Sequence, residues 1–303
     1  MSRPDLQSRF RTLCSVREEV EGPSPPRLVQ AKALLLCALP CSQVPDRSVT
    51  RVAQIAPGSR LAVTFTSVDE EVPLPFGADR ALLTWMQTQA YRDGFVSLRS
   101  LTGFFRAFNL HPSGSEYQRF RARLQRVASL AITIRLDTEN ESLRLRLHPL
   151  KCARTPKEFE TTGQTLPSAQ VLRRERFGFA LDPDFWAYLR ANPVPLPLPL
   201  MRRFHGRPKA WDLAAFVLYR SYVARTPSVV PWPDLMAQLG SRDTFPRRLK
   251  ATLSAVLDEI RVVYPNLRTR FLPGFAGLEI QPWKPSSETG SRNGWKDRGT
   301  PGR

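Results

Sequence analysis

Two segments of the chain carry basic side chains in the same pattern. Residues 119–127 read RFRARLQRV and residues 248–256 read RLKATLSAV, and the two align without a gap. Both have apolar residues at the second, sixth and ninth positions and basic residues at the first and third. Guanidinium and ammonium groups carry positive charge and donate hydrogen bonds, so both segments are suited to bind phosphates and hydrogen-bond acceptors.

The helical period separates a core face from a basic face. At about 100° per residue, Phe120, Leu124 and Val127 fall on one side of a helix. A helix with Arg, Gln and Ser on its other side fits the DNA major groove, where Arg favours guanine, Gln favours adenine, and neighbouring basic residues neutralise phosphates. The candidate contact residues are Gln118, Arg119, Arg121, Arg123, Gln125 and Arg126 in the first segment and Thr244, Arg247, Arg248, Lys250 and Ser254 in or just before the second.

Any surface helix also has a charged side, and this alternative stays open for each segment taken alone. Two observations favour groove recognition. The basic faces carry few acids that could form ion pairs along the helix. The pattern also occurs twice, each time at the same place in the order of predicted elements. We therefore predict two DNA-recognition helices, at residues 117–130 and 244–262.

Other reactive side chains are too scattered for a catalytic or metal site. The three histidines are isolated, and no G-x-x-x-x-G-K-[ST] phosphate loop is present. Cys37 and Cys41 form a C-x3-C pair without further ligands at the tight spacing of a zinc site. Asp182 and Asp184 fit a helix cap better than a metal-binding carboxylate pair. We predict a binding protein without catalytic residues, metal or cofactor.

Composition supports a basic globular protein. The 303 residues, of which 42% are hydrophobic, allow two compact domains. The net charge of +18 points to a polyanionic partner, either nucleic acid or an anionic membrane surface. Because no run of about 18 apolar residues and no apolar signal sequence occur, we expect no segment that spans a bilayer or directs secretion, and therefore a bacterial cytoplasmic protein. Of the two polyanions we expect nucleic acid as the partner and no membrane.

The elements around the first segment follow a known order. Residues 47–55 and 59–68 alternate as a β-hairpin, and helices are predicted at 78–94 and 97–110, before the helix of the first segment. Two alternating strands follow it, with Arg144 and Arg146 facing away from the core and towards a DNA backbone. Helix, helix, turn, helix and hairpin is the order of a winged helix.

The second half repeats this order. Helices are predicted at 207–225, 230–240 and 245–263, followed by two short strands around the turn PGFAG. Thr244 or Asp243 is placed to cap the third helix. The predicted class is α+β, mainly helical, with two tandem winged-helix domains. We divide the chain into a flexible N-terminal arm (1–27), a first winged-helix domain (28–152), a linker (153–176), a second winged-helix domain (177–284) and a disordered tail (285–303).

Five segments in this order resemble the plasmid-encoded RepA replication initiators. They read PLPFGADRALLTWMQTQA, SLRSLTGFFRAFNL, NPVPLPLPLMRRF, WDLAAFVLYRSYV and VPWPDLMAQLG, and the resemblance spans residues 70 to 284. The sequence departs from the family pattern at MRRFHGRPKAWDL, which is more basic, and at HPSGSE, which has fewer glycines.

The resemblance implies a pair of winged-helix domains that bind repeated duplex sites, called iterons, at a plasmid origin. It also implies partners, namely a host DnaA-type initiator and a DnaB-type helicase, and a homodimer in equilibrium with a monomer, for which residues 48–68 offer an edge strand. Two alternatives remain. A transcriptional regulator of the same fold would bind an operator without a role in replication, and an RNA-binding or membrane-surface protein would use the charge without sequence preference.

Overall fold

The chain folds as an α+β protein, and the computed structural model describes residues 6–56, 58–97, 101–154, 178–240 and 246–283. Most of the predicted linker, the predicted tail and Thr244 lie outside these ranges. In the first half the elements are α1 Leu6–Glu21, β1 Arg27–Ala31, α2 Lys32–Leu36, β2 Ser48–Ala56, β3 Ser59–Ser67, α3 Asp79–Ala90, β4 Phe95–Ser97, α4 Leu101–Ala107, α5 Gly114–Ala128, β5 Leu130–Asp137, β6 Ser142–Leu147 and β7 Leu150–Arg154.

The second half begins with a strand that pairs back onto the first half, since β8 lies between β4 and β7 in one small sheet. The elements are β8 Gly178–Leu181, α6 Pro183–Ala191, β9 Pro193–Pro197, α7 Leu198–Arg203, α8 Pro208–Val223, β10 Ser228–Pro231, α9 Trp232–Leu239, α10 Pro246–Val263, β11 Thr269–Phe271, a 3₁₀ turn Pro273–Phe275 and β12 Gly277–Ile280.

The two predicted hairpins of the first half are confirmed and share one sheet. The strands β2 and β3 pair antiparallel, as do β5 and β6, and the sheet order is β2-β3-β5-β6. Alternate residues such as Val63, Phe65 and Ile132 are buried beneath it, as the period of two requires. The strand β2 forms one edge of this sheet and β6 forms the other.

The three predicted helices of the second half are also confirmed. Pro208 occupies the first turn of α8, where the missing N–H costs nothing. The helix α9 ends at Gly240, whose φ of 59° is the left-handed conformation that glycine adopts readily. The strands that follow α10 join the strand before α9 in a sheet of order β10-β12-β11.

The prediction of a flexible arm at 1–27 is wrong for most of its length. Residues 6–21 form α1, which packs against α10 and α7. Leu13, Val16 and Val20 are buried in this contact. Their spacing of three and four residues places them on one helical stripe, and the helix is stabilised by a partner more than 170 residues away in the chain.

The two halves touch through paired strands as well as side chains. The strand β1 pairs antiparallel with β9 over five residues, and β9, in which Pro alternates with Val and Leu, leads directly into α7. The helix α9 packs against β2. The predicted domains 28–152 and 177–284 therefore share one continuous set of buried apolar residues.

Candidate nucleic-acid interface

The helix α5, which carries the first basic segment, is fixed at its start and along its apolar face. Ser113 caps it, because the Ser113 hydroxyl accepts a hydrogen bond from the Glu116 N–H at 3.3 Å. Phe120, Leu124 and Val127 are buried, as predicted. The Phe120 ring lies 5.6 Å from that of Phe104 on α4. This packing leaves the opposite side of α5 exposed.

The exposed side of α5 carries part of the predicted contact set. Gln118, Arg119 and Gln125 are exposed, and Arg121 is half-buried. Arg119 forms an ion pair with Glu116, one turn earlier on the same helix. Since the Arg119 side chain remains 65% exposed, this pair leaves its guanidinium accessible to another acceptor.

The prediction that Arg126 faces outward is wrong. Its guanidinium donates two hydrogen bonds to Asp79 at the start of α3, at 2.6 and 2.9 Å, and lies 4.7 Å from the ring centroid of Phe76. Arg123 reaches the same carboxylate at 3.9 Å, and both Arg side chains are only 16% exposed. A helical wheel contains only the angles of its own helix, so it could not show that the start of α3 lies beside this part of α5.

The helix α10 shows a similar division of faces. Leu249, Leu253 and Val256 are buried, as predicted. Arg247 is exposed, and Ser254 is half-buried. The side chain of Arg248 lies outside the described residues, as does Thr244. The exposed row of α10 is less basic than that of α5 and includes the small residues Ala251 and Ala255.

Lys250 is held by the turn between β11 and β12. Its ammonium lies 5.1 Å from the ring centroid of Phe275, which has a positive φ of 58° and packs edge-on against Trp232 at 5.8 Å. The turn thereby fixes Lys250 beside the exposed row of α10. Phe275 had no signal in the sequence beyond its place in PGFAG.

Replacing Phe275 with Leu should uncouple Lys250 from this turn. We expect a coupling free energy of about 0.5–1 kcal/mol between Phe275→Leu and Lys250→Met, because the substitution removes the ring face on which the ammonium lies. Urea unfolding of the two single variants and the double variant measures it. Phe275→Tyr, which keeps the ring, serves as the control, and additive effects of the first two substitutions would contradict this assignment.

Arg144 and Arg146 are exposed on β6, at the edge of the four-stranded sheet, as predicted. Arg144 lies directly opposite Arg135 and Arg146 opposite Thr133, so neither has an acid as its cross-strand neighbour. Leu147 of the same strand is buried, whereas Leu143 near the hairpin end is 52% exposed because the hairpin extends beyond the core.

Arg106 was missed by the sequence analysis. It is exposed in the last turn of α4, the helix whose Phe104 and Phe105 pack on α5. The signal was available, since a basic residue near the end of the helix before the turn lies at the height of a DNA backbone in helix-turn-helix proteins.

The described ranges were also compared with the requirements of a metal site and of a membrane span, and they meet neither. Within them, no group of three or more His, Cys, Asp or Glu residues is arranged to hold a metal ion. Across the same ranges, every helix is too short or too polar to cross a membrane.

Comparisons with known proteins gave structural neighbours only. No family model and no curated protein sequence matches the chain. A crystal structure of selenomethionine-labelled domains 2 and 3 of RctB matches with a TM-score of 0.46 and 12% identity, covering 88% of this chain and 98% of that chain. A second crystal structure of RctB domains 2 and 3 matches with a TM-score of 0.40 and 16% identity, covering 75% of this chain and 82% of the other.

Proposed function

We propose that the chain is a sequence-specific DNA-binding protein in which α5 and α10 are the recognition helices of two winged-helix domains. The observation that carries this proposal is the repeated order of elements. The helices α3, α4 and α5 are followed by the β5–β6 hairpin, and α8, α9 and α10 are followed by β11 and β12. In both sets the third helix buries one apolar face and exposes a polar one, which is the arrangement that major-groove binding requires.

The second set supports the winged-helix assignment more fully than the first. Its sheet joins the strand before α9 to both strands after α10. In the first set β4 holds the equivalent place in the chain, but it pairs with β8, and the hairpin after α5 extends the β2–β3 sheet instead. Both hairpins still follow the proposed recognition helix directly, where a wing contacts the backbone beside the groove.

The residues proposed to bind DNA are fewer than the sequence predicted. Gln118, Arg119 and Gln125 of α5 and Arg247 of α10 are exposed and suited to base edges. Arg144 and Arg146 are suited to phosphates, as is the newly identified Arg106. Arg123 and Arg126 leave the set, because Asp79 holds them.

The proposed ligand is a repeated duplex site at a plasmid origin. This narrower proposal rests on the five segments that resemble the RepA initiators. The same resemblance supports two proposed partners, a DnaA-type initiator and a DnaB-type helicase. It also supports pairing of two copies of the chain, for which the β2 edge is the proposed contact. The alternative, a regulator that binds an operator, rests on the same DNA-binding surface.

A binding assay with a selected site tests the DNA-binding proposal. A duplex chosen by the chain from a randomised pool should bind much more tightly than its scrambled version at the same salt. Arg247→Ala should weaken binding by about 1–3 kcal/mol, or about 5- to 150-fold, and relax the preference at one position if Arg247 contacts a guanine.

Arg144→Ala and Arg146→Ala provide the matched comparison. Each should weaken binding to the selected and the scrambled duplex alike and reduce the salt dependence by about one phosphate contact. Equal affinity of the unsubstituted chain for both duplexes would overturn the proposal and favour a non-specific RNA or membrane binder.

Plasmid maintenance separates the initiator from the regulator. A plasmid that carries only this gene and its flanking DNA should replicate if the chain is an initiator, and an Arg119→Ala/Arg247→Ala variant should abolish that replication. A regulator would bind the flanking DNA without maintaining the plasmid. Direct repeats of about 15–25 base pairs beside the gene are expected, because two recognition helices in successive major grooves cover that length.

A further inference from the structure

Two consecutive residues at the start of α3 join different parts of the molecule. Asp79 is 1% exposed and Arg80 is 3% exposed, so both charges lie in the interior. Asp79 points to α5, and Arg80 points to the second half of the chain. Charges this deeply buried are retained only where partners satisfy them.

Asp79 clamps the proposed first recognition helix. Its carboxylate accepts two hydrogen bonds from Arg126, at 2.6 and 2.9 Å, and a third from the Phe76 N–H at 2.9 Å. A bidentate pair of this kind fixes direction as well as distance. The orientation of α5 about its own axis is therefore tied to the start of α3.

Arg80 ties the same point to the second half. Its guanidinium forms a buried ion pair with Asp212 on α8, which is 6% exposed. It also donates to the carbonyl oxygens of Leu39 and Pro40, both at 2.9 Å, while its Nε–H donates to the Gly77 carbonyl at 2.8 Å. The carbonyl acceptors fix the planar guanidinium, and its ion pair with Asp212 then holds α3 and α8 in one relative position.

We propose that Asp79 is a positioning residue for DNA recognition and that Arg80 extends its effect to the second half. Asp79 sets the orientation of α5 through Arg126, and Arg80 fixes that orientation relative to α8, so α5 and α10 keep one separation along a duplex. This inference rests on the proposed function, since it assigns a role to residues that do not touch DNA.

The direction in which Asp79→Asn changes DNA affinity distinguishes a positioning role from a purely electrostatic one. Removing an acid near a surface that binds a polyanion should strengthen binding if only electrostatics matter. Asp79→Asn removes the charge, keeps the size and still accepts from the Phe76 N–H. We expect affinity for the selected duplex to fall at least about tenfold, while affinity for the scrambled duplex stays the same or rises.

Glu116→Gln is the matched control. It removes an acid from α5 itself and releases Arg119, so it should tighten binding to both duplexes. The proposal is overturned if Asp79→Asn also tightens binding to both.

A second variant distinguishes the loss of the positioning contact from a loss of folding in Asp79→Asn. In Asp79→Asn/Arg126→Gln two amides replace the bidentate ion pair, so the Arg126 charge that Asp79→Asn leaves without its carboxylate is removed as well. Thermal unfolding checks that this variant is folded, and we expect its affinity for the selected duplex to return to within about threefold of the unsubstituted chain. If it binds more weakly than Asp79→Asn, Arg126 itself contacts DNA and the positioning role is wrong.

The unsubstituted chain tests the fixed separation of the two halves, to which Arg80 is proposed to contribute. Footprinting locates the two halves of the selected site, and 5 base pairs are then inserted between them. This insertion turns one half by about half a helical turn, so a fixed separation predicts a loss of at least about tenfold. A loss below about threefold would show that the halves adjust and would overturn this part. If the chain does not prefer the selected duplex at all, the proposed function fails instead.

Discussion

Asp212→Ala is expected to lower the free energy of unfolding by about 3–5 kcal/mol, because it leaves the charge of Arg80 buried without its carboxylate partner. The two side chains are 4% and 7% exposed, so bulk solvent does not reach the charge that remains on Arg80. The backbone carbonyls around Arg80 remain as acceptors, but they carry no charge.

Urea unfolding followed by tryptophan fluorescence measures this loss, provided that the m-value is unchanged. The control is Asp212→Asn, which keeps an oxygen acceptor for Arg80 at nearly the same size and should cost less than Asp212→Ala. Glu70→Ala is a second control. It breaks the Arg47–Glu70 pair, whose side chains are 46% and 88% exposed, and should change stability by less than about 1 kcal/mol. If Asp212→Ala also lowered the free energy of unfolding by less than about 1 kcal/mol, the buried ion pair with Arg80 would be contradicted.

The sequence predicted the elements whose signal is local. The helix α8, with Pro208 in its first turn, and the hairpin of β2 and β3 are both encoded by the period of their own residues. The helix α1 was not predicted because charged residues interrupt its apolar stripe. The stripe is buried only by packing against α10, which is distant in the chain. The pairing of β9 could not be predicted from local signals either, because its partner β1 lies in the other half.

The same distinction between local signals and contacts of distant residues applies to the candidate site. Which residues of α5 and α10 are buried followed from the helical period, and Phe120 and Leu253 are where it placed them. The state of Arg126 did not follow, because it depends on Asp79, which lies 47 residues earlier in the chain. An acid in the first turn of a helix also has an ordinary explanation in the helix dipole, so Asp79 gave no sign of a second role.

His205 lies at the contact between the halves, where burial disfavours its protonated form. It lies in the basic turn MRRFHGR, with its ring 5.1 Å from that of Phe108 on α4 and 6.3 Å from that of Phe104. On either side of it, Arg203 and Arg207 pair with Glu259 on α10. The Nε2 atom of His205 is buried, and the described residues offer it no hydrogen-bond partner. Burial, with a further contribution from the positive charge of Arg123 that exceeds the opposing effect of Glu116, lowers the pKa of His205 from 6.5 to about 4.

The free energy of unfolding should therefore fall as the pH decreases from about 6.5 to about 4. In this window the unfolded chain binds a proton at His205 and the folded chain does not, so acid favours unfolding. The full effect is about 3 kcal/mol, since each pKa unit corresponds to about 1.4 kcal/mol. Above about pH 6.5 the imidazole is neutral in both states, and this contribution no longer depends on pH.

Urea unfolding between pH 7 and pH 4.5 measures this slope, and His205→Phe isolates it. The substitution keeps an aromatic ring against Phe108 and removes the titrating group, so the variant should lose most of the pH dependence between pH 6.5 and pH 4.5. His148→Gln, at an exposed position, should keep the slope of the unsubstituted chain. Carboxyl groups also titrate near the acid end, but they do so equally in all three proteins. Parallel slopes for His205→Phe and the unsubstituted chain would mean that His205 takes up its proton as readily in the folded chain as in the unfolded one. The contact between α4 and the basic turn would then not depend on a neutral imidazole.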